Sequence, residues 1–272
     1  MLRSKFLLSI TAVLSLMGCT SSLEQPDTTK QLTYDRQEQV YVNTNDYAKL
    51  VTLYKERLAE SDELETRLKL VKVYIDMNDI ESAEFNLNLI GTSNSLQSQI
   101  DYLFALVNYE KQYMGAAAIY AKKSVEGSNG FEAAENLLGL IYATLGDYEQ
   151  ARHYFYLARQ HLADDVKIKN NLAMVDMLEG NYHQAAYRLE PLITNGVQDE
   201  QVIANLALAY AKIGNFNSFS ALYFDSGATM SELRSAFGAL SEVTTANQLQ
   251  SRSEVLDTSL ESEQPPIQLE TL

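Results

Sequence analysis

The one cysteine of the chain, Cys19, closes the run Leu16-Met17-Gly18-Cys19. A thiolate can exchange disulfides, bind metals, act as a catalytic nucleophile or carry an acyl group. With no second cysteine, a disulfide within the chain is excluded, and a thiolate metal cluster has no partner residues. What precedes Cys19 points to acylation. Arg3 and Lys5 are followed by an apolar run from Phe6 to Leu16, interrupted only by Ser9, Thr11 and Ser15. The run is too short to span a bilayer comfortably, and it has the charge and length of an export signal. A leucine three residues before the cysteine and a small residue just before it complete the pattern.

The other reactive side chains suggest no chemistry. His153 and His161 are eight residues apart, on one helical face but two turns from each other, too far to share a metal. They and His183 read as exposed helix-face residues. Asp164-Asp165 falls between helical stretches and suits solvated caps better than a catalytic dyad. There is no glycine-rich phosphate loop, nucleophile-elbow serine or zinc-binding helix motif. The expectation is no catalytic residue, no metal, no cofactor and no small-molecule substrate: this chain is not read as an enzyme.

The elements come from a repeat. Gly146, Gly180 and Gly214 are 34 residues apart. They open the triplets Gly146-Asp147-Tyr148, Gly180-Asn181-Tyr182 and Gly214-Asn215-Phe216. Leu138, Gly139 and Tyr142 form one helical stripe before the turn; Tyr148, Ala151, Phe155 and Ala158 form another after it. Small Gly139 and Ala151 let these helices approach closely. The pattern holds over 64–97, 98–131, 132–165, 166–199 and 200–233. The second of these has no glycine at its turn, and in the last Phe219 replaces the small residue, which puts its packing in question. This period and punctuation predict an all-α, right-handed solenoid of tetratricopeptide (TPR) helix-turn-helix repeats. A divergent unit around Asn45-Asp46-Tyr47 and a capping helix at 230–247 extend the array to 46–247.

In such arrays the first helix of each unit lines a concave groove. Its inward positions include Tyr102, Leu106 and Tyr109, then Asn136 and Leu140, then Asn170, Asn171, Met174, Met177 and Leu178, then Asn205 and Leu208. Methionines suit a surface that accepts an amphipathic helix or an extended segment. The asparagines could hydrogen-bond a bound backbone. Gln201 and Asn205 stand where a carboxylate clamp needs basic residues, so a peptide C-terminus is not the expected ligand.

The rest of the organisation follows. Residues 1–18 are the signal, 19–45 an acylated start and flexible tether, and 248–272 a disordered acidic tail. A random-coil tether of that length reaches on the order of 25–30 Å. The formal charge of −15 argues against nucleic acid or an anionic membrane surface as ligand.

Two resemblances sharpen the expectation. The segment ending in Cys19 resembles the lipobox of bacterial lipoproteins. It implies cleavage before Cys19, acylation of its sulfur and new amino group, and anchoring by several chains. Thr20, rather than aspartate, then implies the outer membrane, with the protein facing the periplasm. The runs Asn170-Asn171-Leu172-Ala173, Leu189-Glu190-Pro191-Leu192 and Asn205-Leu206-Ala207-Leu208 resemble the TPR lipoprotein of the tight-adherence (Tad, or Flp) pilus system, the TadD family, most sharply over 132–216. That resemblance implies a non-catalytic role in pilus assembly among proteins of the pilus and secretion machinery. It makes a secretin the expected partner, localised or multimerised in the manner of a pilotin. The alternatives are a type IV pilus TPR lipoprotein, or a general periplasmic adaptor for a protease or envelope complex. A cell-wall enzyme would need a second folded domain.

Overall fold

The computed structural model describes residues 28–91 and 95–243. The expected export signal, Cys19, and everything from residue 244 on lie outside them. Among the described residues there are thirteen α-helices, one short 3-10 turn and no strand. The chain divides into two compact units, with the boundary between Asp46 and Tyr47.

In the first unit, α1 spans Thr28–Asn43. Over residues 28–43 this corrects the reading of 19–45 as an acylated start and flexible tether. The polar composition suggested coil, yet residues 28–43 contain neither glycine nor proline. Gln, Glu, Arg, Lys and Leu are all good helix formers. Gln31 donates to Asp35 at 2.9 Å, one turn on. The helix stops at Asn45, whose φ is 52°.

The second unit opens with α2 (Tyr47–Glu60), which packs on α3. Five helix pairs follow: α3 (Leu64–Asp76) with α4 (Ile80–Asn88), α5 (Gln97–Glu110) with α6 (Met114–Glu126), α7 (Glu132–Thr144) with α8 (Tyr148–Gln160), α9 (Asp165–Leu178) with α10 (Tyr182–Thr194), and α11 (Glu200–Lys212) with α12 (Phe216–Leu222). Each second helix also packs on the next first helix, and successive first helices touch one another. This interleaving lets each unit bury an apolar face it could not bury alone.

The turn within each pair has one construction. Asn78, Gln112, Gly146, Gly180 and Gly214 all take φ between 58° and 81°. In the α7–α8 turn, Gly146 N–H donates to Ala143 O at 3.2 Å, and Asp147 N–H donates to Tyr142 O at 2.9 Å. The other four turns repeat both bonds. They satisfy carbonyls that a helix end otherwise leaves open. Repeat 98–131 lacks the glycine, yet Gln112 adopts the same left-handed conformation. Asp79, Asp147 and Asn215 then cap the second helix, each accepting a backbone N–H at 3.1 Å.

Gly139 faces the fully buried ring of Phe155, and a Cβ there would lie 2.4 Å from it. The C-terminal end departs from the pattern. α12 has only seven residues, and Phe219 is fully buried rather than out of place. α13 (Met230–Glu242) packs on α11 and α12, and the rings of Phe216, Phe219, Tyr223 and Phe237 meet there at 5.3–6.3 Å. The large ring fills space that the short helix and the added helix leave between them. Lys212 donates to the carbonyls of Ser241 and Val243 at the end of α13.

Candidate functional site

The candidate surface is the layer of first helices α5, α7, α9 and α11. Tyr102, Leu106, Tyr109, Leu140, Met174, Leu178 and Leu208 each pack on the core from one side and remain partly exposed on the other. None carries a formal charge at neutral pH, on a chain of net charge −15. Burial, with Asp76 and Glu132 nearby, pushes the Tyr102 hydroxyl up to about 12. Burial also raises Tyr109, partly offset by a hydrogen bond with Thr144. Both phenols can offer O–H donors.

The remaining groove residues sit differently. Met177 is 4% exposed and belongs to the core beneath α9 and α11. It is the residue before Leu178, and the helix turns it inward. Asn170 and Asn171 are buried, while Asn136 and Asn205 are half-buried. Their amides meet each other. Asn171 Nδ2 donates to Asn136 Oδ1, and Asn205 Nδ2 donates to Asn170 Oδ1, both at 2.8 Å. Each pair joins one unit to the next, so the expected role in holding a bound backbone is taken in part by a role between repeats. Asn136 keeps its Nδ2 donor and Asn205 its Oδ1 acceptor free of bonds to other described residues.

Two polar clusters, each built around one buried carboxylate, escaped the sequence reading. Asp176 accepts from Arg152 at 2.5 Å and from Arg188 at 3.0 Å, and Arg152 also grips Glu179. This ties α8, α9 and α10 together. One signal was visible: Asp176 holds the position of Tyr142 and Tyr210 in neighbouring repeats. In the second cluster His161 stays exposed, as expected, but also has a long-range partner. His161 follows the last residue of α8 and bonds to Glu135, buried in α7. The two are 26 residues apart, and no local spacing links them. His153 and His183 are exposed, and His153 lies edge-on to Tyr154. No cluster of metal-ligating side chains occurs among the described residues.

No family model matches the chain. Tetratricopeptide repeat protein 21B of Xenopus laevis is 24% identical over 116 residues, which is 42% of this chain and 9% of that relative. The chain therefore spans less than a tenth of the length of the curated relative it matches. The thermophilic TPR protein TTC0263 of Thermus thermophilus superposes with a TM-score of 0.56 at 18% identity, over 66% of this chain and 98% of that one.

The chain has the tetratricopeptide-repeat fold.

A further TPR-like neighbour is pilF of Pseudomonas aeruginosa, with a TM-score of 0.57 at 12% identity, over 74% of this chain and 94% of that one. The likeness is one of architecture. Within this TPR array, the partly exposed row from Tyr102 to Leu208 lies on the helices that contact one another from unit to unit.

Proposed function

We propose that this TPR array is a non-catalytic scaffold, lipid-anchored through Cys19 at the outer membrane and facing the periplasm. On this reading it binds a protein of the pilus or secretion machinery along its first-helix layer and assists Flp/Tad pilus assembly. A secretin is the expected partner, and the role is pilotin-like. The observation that carries the binding role is the uncharged, partly exposed row Tyr102, Leu106, Leu140, Met174, Leu178 and Leu208 on a strongly acidic chain. Depletion of charge with enrichment in aromatic residues and methionine is the composition of an interface core. The export signal, the Leu-Met-Gly-Cys run and the Asn-Leu-Ala motifs support the location and the pilus system.

Met174→Glu with Leu178→Glu is expected to abolish capture of the secretin while the far-ultraviolet circular dichroism is unchanged. In a deletion strain, secretin multimers at the outer membrane and surface pili are expected to be lost. Their persistence would overturn the pilotin role. Cys19→Ser is expected to release the protein into the periplasm, and unchanged membrane retention would overturn the anchor.

A further inference from the structure

An open cleft of about 390 Å³ lies on the first-helix layer where α3, α5 and the start of α7 meet. Leu68, Leu96, Leu103, Tyr102 and Phe131 supply its apolar walls. Leu68 and Leu103 are buried, while Leu96, Tyr102 and Phe131 are half-exposed. The Tyr102 and Phe131 rings stand 5.0 Å apart, tilted at 56°. This is the tilted contact that rings prefer, and it leaves both open to a third ring. Phe131 comes from the loop before α7, so the cleft needs two adjacent repeats to exist.

The rim carries Glu65, Lys69, Lys72 and Gln99. Lys72 pairs with Asp76, one turn along α3. Acidic and basic groups are thus interspersed, and no single sign of charge dominates. An ion of either sign would meet like charge as well as opposite charge. A large neutral ring would meet aliphatic walls, two aromatic rings and polar groups only at the edge. That is the composition of an interface anchor, an apolar pocket ringed by polar residues, which loses its water when a side chain fills it.

We infer that this cleft is an anchor pocket for one aromatic side chain of the partner, whose segment continues from it along Leu106, Leu140 and Met174. The inference rests on the binding role proposed for the first-helix layer and specifies the partner's chemistry: a neutral segment with a phenylalanine, tyrosine or tryptophan at one fixed position. Tyr102 can donate its hydroxyl to the incoming chain at the cleft edge.

The test uses the detergent-solubilised full chain and a phage-displayed library of 16-residue peptides. Enriched peptides are resynthesised and their affinities measured for the unaltered chain and for the Phe131→Leu, Phe131→Ala and Met174→Glu variants. Phe131→Leu keeps an apolar side chain, and a matching thermal unfolding curve confirms that the fold survives. The expected result is an aromatic residue at one register of the enriched peptides. Replacing that residue with leucine should weaken binding by about tenfold or more. Phe131→Leu should give a comparable loss. Peptides that depend on Met174 but not on Phe131, or that share an arginine or glutamate at the anchor register, would overturn the anchor pocket and leave the groove standing. Peptides indifferent to Met174→Glu and to both Phe131 variants would overturn the groove, and the pocket with it.

Discussion

The Nδ1 atom of His161 lies 2.8 Å from both carboxylate oxygens of Glu135, whose side chain is 1% exposed. The carboxylate accepts, so the shared proton belongs on Nδ1. His161 is also held in place sterically: its ring covers Gly130, where a Cβ would lie 2.8 Å away. The pair joins the end of α8 to the interior of α7.

His161→Ala leaves a buried carboxylate without this partner. It is expected to destabilise the array by about 2 kcal/mol or more. Glu135→Gln keeps a hydrogen-bond acceptor and is expected to have a smaller effect. Urea denaturation followed by circular dichroism distinguishes the two; equal losses would show that the contact matters for packing rather than for charge.

The asparagine pairs make a sharper test of how a buried hydrogen bond counts. Asn171→Leu removes the donor to Asn136 Oδ1 and is expected to destabilise by about 1–2 kcal/mol. Changing both Asn136 and Asn171 to leucine removes both polar partners and is expected to recover part of that loss. A double-mutant cycle on unfolding midpoints measures the coupling.

Gly139→Ala forces a methyl group onto the Phe155 ring and is expected to destabilise by about 1–3 kcal/mol. Adding Phe155→Leu relieves the clash and is expected to return part of the stability lost to Gly139→Ala. Thermal unfolding of the two single variants and the double variant checks the non-additivity.

Gln112 and Leu162 occupy the left-handed region without being glycine, at φ of 64° and 69°. Leu162 is 91% exposed, so its side chain contributes little packing. Gln112→Gly and Leu162→Gly are each expected to stabilise by about 1 kcal/mol, because the steric penalty of the conformation disappears. Higher unfolding midpoints with unchanged denaturant slope are the expected observation.

Tyr102 gives a pH dependence with a definite sign. Its pKa in the fold, about 12, lies above the ordinary 10.0, so folding favours the neutral phenol. That stabilisation is fully present below pH ~10 and falls as pH rises from about 10 toward 12. Tyr102→Phe removes this contribution. Between pH ~9 and pH ~11, the urea midpoint is expected to fall less in the variant than in the unaltered chain.

How much of this was legible in the sequence varies by element. The 34-residue register places all five first helices within one residue of their observed starts, because stacked units share one repeating interface. It could not show that Gln112 would turn without glycine, since the neighbouring helix ends impose that conformation. Polarity concealed α1, although polar residues such as Gln and Glu form helices well. The first-helix positions were legible as a row but not in depth. Met174 and Leu178 stay partly exposed while Met177 is buried, a difference set by packing against neighbouring helices that lie far off in sequence. The Asn–Asn and His161–Glu135 bonds are long-range, and no single-chain spacing announces them.

The two asparagine bridges lie at the α7–α9 and α9–α11 junctions. At the preceding junction the corresponding residues are Tyr102 and Leu137, which cannot make that bond. The Asp176 cluster adds cross-links in the same C-terminal half. Before Asn136 the units are joined by a different kind of bond: Lys111, just past the end of α5, donates to Glu84 of α4 at 2.9 Å. If the solenoid is regarded as a spring, its coils are linked by neutral amide bridges and a buried carboxylate at one end and by a half-exposed ion pair at the other. Added salt screens the second link far more than the first, so ionic strength would loosen the two ends unequally. The cleft beside Tyr102 lies toward the salt-sensitive end.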